Sequence, residues 1–439
     1  MNAGTILERM AASHQAQAGR FAAGAPWARR RSRALARLLE RGLPGRRDEN
    51  WRYLDHAAIA ALSFAPAPGA HVDPARLAPL LLPLPGAMRL TLIDGEFAPG
   101  LSTSGSDGVR IDDLAVLLAG DSAPELESLR EPADDVDDRF ALLAEAFAPG
   151  GARIRVAAGA VPAQTLYLLH VGSAAAAGMS HARLVIEVAA GATLTLVEHF
   201  VSLGQAPALS NLAADLRLGD GATLRHVRLH AQTAPVAHLE TWNAELQAGS
   251  RYEQLLLVLG GQLVRSGLRL MLAGREAEAR LAGLFMVDGD CQADLYTRIE
   301  HAAPMTRVAQ NYRGIAAGRG QGAFNGRIIV QPSARGADAA QSSRNLLLSP
   351  QAVINARPQL EILTDDVQCR HGATIGTLDP NQFFYLLSRG IAPDAARALL
   401  TRAFCEDILA ALPVPGLRAP VEELVVGRLP DRDLIRRLA

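Results

Sequence analysis

A cysteine and a histidine stand two residues apart at Cys369 and His371, inside the strand-like run VQCRHGATIG. Residues i and i+2 of a strand project from the same face, so a thiolate and an imidazole can be offered side by side. That donor pair suits a first-row transition metal. Taken alone, the same residues also fit a small buried cysteine and a turn histidine before Gly372.

Other residues with chemical potential are weaker. His226 and His230 lie four apart on one face of a predicted strand, which makes half a metal site. No third ligand stands nearby in the text, so the expectation is a pair of exposed strand histidines. His301, in EHAAP, fits a functional residue and a satisfied turn histidine equally. Gly318 to Gly322, GRGQG, imitates part of a dinucleotide fingerprint without its strand–helix unit and following acidic residue, and reads as a loop. No GxxxxGK[ST] run is present, so the chain is not itself a P-loop ATPase. No Ser-His-Asp constellation has a recognisable local context.

The elements that must position these residues differ along the chain. From about Ala152 to Val330 short apolar–polar alternations are broken by Gly, Asn and Asp, as in RLVIEVAAGATLTLVEHF and ADLRLGDGATLRHVRLH. These are strands. Gly191-Ala192-Thr193-Leu194 matches Gly221-Ala222-Thr223-Leu224 at an offset of thirty, and Ile186 and Val188 match Leu216 and Leu218. A strand–turn unit repeated at a fixed period points to a stacked solenoid, with a β-sandwich as the alternative. Residues 29–43 read as a helix stopped by Gly42, Pro44 and Gly45, and the ARRRSR run as its solvated start. The acidic run Asp134–Asp138 reads as helix capping and solvation. Pro380 to Leu387 and Pro393 to Leu412 carry helical spacing, broken at Arg389-Gly390, and a tail this apolar must pack on its own core or on a partner.

Composition bounds the function. The 439 residues carry a formal net charge of −1, which argues against an electrostatic nucleic-acid binder. The first twenty residues contain no long apolar segment and read as neither signal peptide nor membrane anchor. The three cysteines, Cys291, Cys369 and Cys405, are far apart with no CxxC pair, which fits a reducing cytoplasm and not a disulfide framework.

CRHGATIG followed by FFYLLSRGI resembles the C-terminal signature of the SufB/SufD family, scaffold subunits of iron–sulfur cluster assembly. The resemblance recurs in RFALLAEAFAPGGARIRV, DLYTRIEHAAPMTRVAQNYRGI, GAFNGRIIVQPSARGADAAQSSRNLLLS and RPQLEI, and covers most of the chain from about residue 47. Chain length and the segment RDENWRYLD favour the SufD branch. The resemblance implies a mainly β fold: a right-handed parallel β-helix core at 151–375, a helical or mixed N-terminal region at 1–150 and a C-terminal helical domain at 376–439. It implies a non-catalytic scaffold that pairs with a SufB paralogue through the β-helix and docks the SufC ATPase on its C-terminal helices. Phe384, Tyr385, Ser388, Arg389 and Gly390 are the residues implied for that docking. His371 corresponds to the family's important interface histidine and Cys369 to the nearby cysteine. Arg370 departs from the small residue of many relatives. The implied cargo is a nascent iron–sulfur cluster shared with the partner. Reduced flavin belongs to the whole complex, and a homodimer is an option in isolation.

Cysteine supply agrees with a shared site. A cluster held within one chain normally takes four thiolates, with occasional imidazole replacement. Three scattered cysteines do not provide that, so a chain that handles clusters must lend one or two ligands to a site completed elsewhere. Two other function classes remain: a β-helix enzyme acting on polysaccharide, and a solenoid that only binds protein. The low aromatic content, 5%, leaves the first short of sugar-stacking surfaces.

Overall fold

The structure is a computed structural model that describes residues 3–17, 26–61, 65–67, 72–103, 108–119, 130–132, 136–173, 176–233 and 235–429. It is mainly β, a parallel solenoid of about seven turns with helices at both ends of the chain. Strands are numbered β1 to β19 in chain order. From Gly178 to Gly376 successive strands alternate between a nine-stranded and a ten-stranded sheet, each pairing in parallel with the strand two places before it and, up to Leu347, with the strand two places after it. Such a ladder has no sharp hairpins, so each turn buries its inner face only when another turn stacks on it.

The thirty-residue repeat is one solenoid turn. Thr193 of β7 (Thr193–Ser202) lies beside Thr223 of β9 (Thr223–His230), and Ile186 beside Leu216 in the other sheet. Gly191 and Gly221 sit in the turn before these strands with φ of +67° and +64°, a region open to glycine without Cβ conflict. The Gly191 N–H donates to Asp220 O at 2.8 Å and the Gly221 N–H to Ala248 O at 2.7 Å, so each turn hydrogen-bonds to the next. Glu276 and Met305 take the corresponding place two and three turns further on, at φ of 61° and 60°, with their N–H groups on Pro304 O and Arg335 O. The backbone motif persists there while the GAT text does not, which hides later copies of the repeat.

The sheets begin before residue 151. β1 (Met88–Ile93) pairs in parallel within the ten-stranded sheet, and β3 (Val109–Asp113) closes the nine-stranded sheet by antiparallel pairing. β2 (Glu96–Phe97) closes the other sheet, again antiparallel. The last strands, β18 (Val353–Ile362) and β19 (Val367–Gly376), have no further strand beyond them among the described residues.

Two expectations at the N-terminal end are corrected. The helix runs Pro26–Arg41, and its arginines are not all solvated: Arg30 pairs with Glu145, and Arg31 donates to Ala148 O, both arginines buried. Of the acidic run, Asp134 and Asp135 lie outside the described residues. Asp138 makes no side-chain cap to the Arg139–Phe147 helix; it is buried and pairs with Arg269 at 3.0 Å. Asp137 accepts from Trp51 Nε1 at 2.8 Å, which anchors the RDENWRYLD segment. In a water-poor setting these carboxylates serve guanidinium and indole donors rather than a helix end.

Candidate functional site

Cys369 and His371 lie on β19, where the solenoid stops. Strand register stacks Cys369 on Ala339 of β17 (Ala337–Leu347), and His371 on Gln341. Ala339 is interior, so both side chains belong to the inward-facing set, as the i, i+2 spacing predicts. No later turn covers them. Cys369 is half-buried against the core, His371 is exposed, and Ile375 in the same inward set remains 46% exposed. Across the opening, Ile362 and Leu363 are 42% and 49% exposed. An apolar interior is thus cut open at one end, with a thiol and an imidazole on the cut face.

The interior becomes polar as it approaches this face. Below His371 the column runs Gln341, Gln310. Gln341 Nε2 donates to Gln310 Oε1, and Gln310 Nε2 donates to Thr297 Oγ1 at 3.1 Å. Gln341 Oε1 is buried with no partner, directly beneath the histidine position. Partial burial pushes the Cys369 thiol up from its ordinary value, and the Asp338 carboxylate adds to that. The thiol is therefore held protonated until a metal or a partner's positive charge displaces the proton. Arg370 points to the outer face, with Nη1 at 3.6 Å from Asp338 Oδ1 on an exposed surface.

The C-terminal helices follow immediately. Asp379 caps the Pro380–Ser388 helix, accepting from the Asn381 N–H at 2.8 Å and the Gln382 N–H at 3.4 Å. That helix buries none of its residues; Phe384 and Tyr385 are 71% and 56% exposed. Ser388 Oγ donates to Tyr385 O at 2.7 Å, the Arg389 guanidinium lies over the Tyr385 ring at 5.3 Å, and Gly390 turns the chain at φ +82°. The next helix, Pro393–Leu409, packs on the ten-stranded sheet through Ala398, Cys405, Ile408 and Leu409. Cys405 is a core cysteine, its thiol pushed up to about 12 by burial. The two helices divide the tail's apolar surface: one covers the solenoid, the other is left bare.

Sequence reasoning missed a second donor set, sealed inside the solenoid. His226 and His230 are fully buried and point inward, contrary to the expected exposed pair. Glu198 accepts from His170 Nε2 and His226 Nε2, both at 2.9 Å. Burial alone would raise the Glu198 carboxyl, but these hydrogen bonds and the charge of their donors hold it below the usual range. Arg228 pairs with Glu240 and donates from Nη2 to Ser266 Oγ at 3.1 Å. His230 Nε2 lies 3.3 Å from Glu240 Oε1, and His238 Nε2 3.5 Å from Glu240 Oε2. In HVRLH, residues 226–230, the alternation is inverted: Val227 and Leu229 face outward beneath covering segments, and His226, Arg228 and His230 face inward. His301, also fully buried, has Nδ1 at 2.8 Å from Thr306 Oγ1, while its Nε2 has no hydrogen-bond partner.

Comparison with known proteins bears on both ends of the chain. Residues 170–404 match the family described as SUF system FeS cluster assembly, SufBD core domain. The chain is 31% identical over 404 residues to the iron–sulfur cluster assembly protein SufD of Escherichia coli K12, covering 90% of this chain and 92% of that protein. An iron–sulfur cluster assembly SufBD family protein of Synechocystis is 28% identical over 88% of this chain and 87% of its own length. A solenoid of this topology, a match across most of its turns and a full-length likeness to a SufD together place the chain in the SufBD family of iron–sulfur cluster assembly proteins, as a SufD-type member.

Proposed function

We propose that this SufD-type protein is a non-catalytic scaffold subunit that pairs with a SufB paralogue and lends Cys369 and His371 to a nascent cluster built at their interface. The observation that carries this reading is the open end of the solenoid, where the inward Cys369 and His371 stand on a strand paired on one side only. A bare strand edge and a cut apolar core are unfavourable in water and well suited to a like partner. One thiol and one imidazole are too few to hold a cluster, so the partner supplies the remaining ligands. The bare Pro380–Ser388 helix, with Phe384 and Tyr385 outward and Ser388, Arg389 and Gly390 at its end, is the docking surface for the SufC ATPase. Nucleotide-driven movement of that ATPase pulls on the helix and alters access to the interface. Without its paralogue the same open end would allow self-pairing. The complex works in the cytoplasm, where the three free thiols stay reduced.

The test is His371→Ala in the co-expressed complex. Iron and acid-labile sulfide should fall at least fivefold while the subunit ratio is unchanged, because alanine cannot ligate or relay a proton. Normal cluster content would remove the ligand role, and loss of the complex would make His371 an interface residue instead.

A further inference from the structure

Independently of that reading, we propose that His230, His238 and Glu240 form a closed site for one divalent first-row transition ion, of the zinc or iron(II) class, inside the solenoid. Their ligand atoms lie within 4.8 Å of one another, and all three residues are buried. His230 ends β9, in the ten-stranded sheet; His238 and Glu240 sit on β10 (Val236–Leu246), in the nine-stranded sheet. A bound ion would therefore tie the two sheets together across the interior. Zinc bonds of about 2.0–2.1 Å in a tetrahedron place neighbouring ligand atoms about 3.3 Å apart. His238 Nε2 stands 3.5 Å from Glu240 Oε2, close to that edge, and His230 Nε2 stands 3.3 Å from the other carboxylate oxygen, Oε1.

Hydrogen bonding points the same way. Both ring nitrogens of His230, and Nε2 of His238, are buried without a hydrogen-bond partner. A buried imidazole with neither nitrogen paired, as at His230, calls for an explanation. His238 Nδ1 lies 3.1 Å from Ser210 Oγ, the outer hydrogen bond that orients a ligating imidazole and fixes its tautomer. With Nδ1 donating to Ser210, His238 Nε2 presents a lone pair toward the Glu240 carboxylate. In that tautomer a cation between the two electron-rich groups removes their repulsion. The surrounding charges also favour one: Glu198 and Glu240 are two buried carboxylates against the single Arg228 guanidinium. Arg228 occupies Glu240 Oε1; Oε2 accepts from Trp242 Nε1 at 3.3 Å and keeps a second lone pair for an ion. Space exists beside His238, a cavity of about 20 Å³ also lined by His170, Phe200 and Gln232, enough for one water.

The probes are Co²⁺ alone and Zn²⁺ alone, supplied to the full-length protein both in the growth medium and by prolonged dialysis after chelator treatment, because the site is closed. One equivalent should bind, with visible cobalt d–d bands and no thiolate-to-cobalt charge transfer. The signal should persist in the Cys369→Ser/His371→Ala double variant. His230→Gln and His238→Gln should each weaken binding at least tenfold. Elemental analysis of protein purified without added metal distinguishes zinc from iron as the resident ion. The proposal is overturned by absence of a stoichiometric ion, by binding that survives both glutamine substitutions, or by a charge-transfer band that disappears with Cys369. Should the glutamine variants fold poorly, stoichiometry and the cobalt spectrum of the wild-type chain and the double variant still decide.

Discussion

One solenoid holds two sets of donor side chains, and their surroundings are opposite. The inner set, Glu198, His226, Arg228, His230, His238 and Glu240, is closed on every side by sheets and aromatic rings; Phe200 stacks on His170 at 4.2 Å and on His230 at 4.4 Å. The outer set, Cys369 and His371, occupies the same inward face about five turns later, six from Glu198, where nothing stacks above it among the described residues. A closed set must satisfy its charges internally, since a buried charge without a partner costs several kcal/mol. An open set can remain incomplete because water satisfies it until a partner arrives. Position along the stack, rather than residue type, decides which histidines belong to the fold and which are available for chemistry.

The comparison is broken most forcefully at Glu240. Glu240→Ala removes the direct partner of the Arg228 guanidinium at the centre of the solenoid and leaves it only the longer pairing with Glu198 at 3.9 Å. Breaking one side of a buried pair typically costs about 3–5 kcal/mol. The expected result in urea unfolding is a loss of that size, with poor soluble yield. A loss under about 1 kcal/mol would mean that water reaches Arg228 and that the inner set is not closed.

How far the sequence disclosed these two sets follows from the range of the contacts. Cys369 and His371 are placed by a local rule, the two-residue alternation of one strand, and the helices beginning at Pro380 and Pro393 by proline at the first turn. The thirty-residue repeat is legible at Gly191 and Gly221, then fades where Glu276 and Met305 adopt the same left-handed turn. The inner set was not legible. His226 meets Glu198 from 28 residues away, one solenoid turn earlier. Its strand also reverses the usual inference, because later segments cover Val227 and Leu229 and so make the outer face apolar. Alternation shows that a strand has two faces; only tertiary cover shows which one is inside.

Acid acts by a smaller amount, through two buried histidines that belong to neither set. Burial lowers His181 to about 3 and His199 to about 4, with the Arg31 charge adding to the first and the His170 charge to the second. Unfolded, both titrate near 6.5. Between pH 6.5 and about 4 the unfolded chain binds protons that the folded chain does not, so stability must fall as pH falls through that window. From pH 7.5 to 5.5 each histidine contributes about 1.4 kcal/mol of loss, about 3 kcal/mol for the pair. Unfolding midpoints in urea measured across this range should show the decline, and His199→Gln should flatten it. A profile that is level or rises on acidification would mean these histidines are protonated in the folded chain.

The smallest effect is expected at the open end. His371 is exposed and Cys369 half-buried on a strand with no neighbour above it, so neither fills a closed cavity or satisfies a buried charge. Substitutions away from such features usually change stability by no more than about 0.5 kcal/mol. His371→Ala and Cys369→Ser should each leave the urea midpoint of the isolated chain within that limit, and the acid-dependent slope unchanged. The same substitutions in the assembled complex are expected to reduce cluster content. Stability and cluster content should therefore separate at these two residues, whereas at Glu240 they should fall together. A destabilisation of 2 kcal/mol or more from His371→Ala, a threshold set by the cost of an unsatisfied buried partner of about 1–3 kcal/mol, would show that the imidazole is tied to Gln341 beneath it and that the terminal turn is closed in solution.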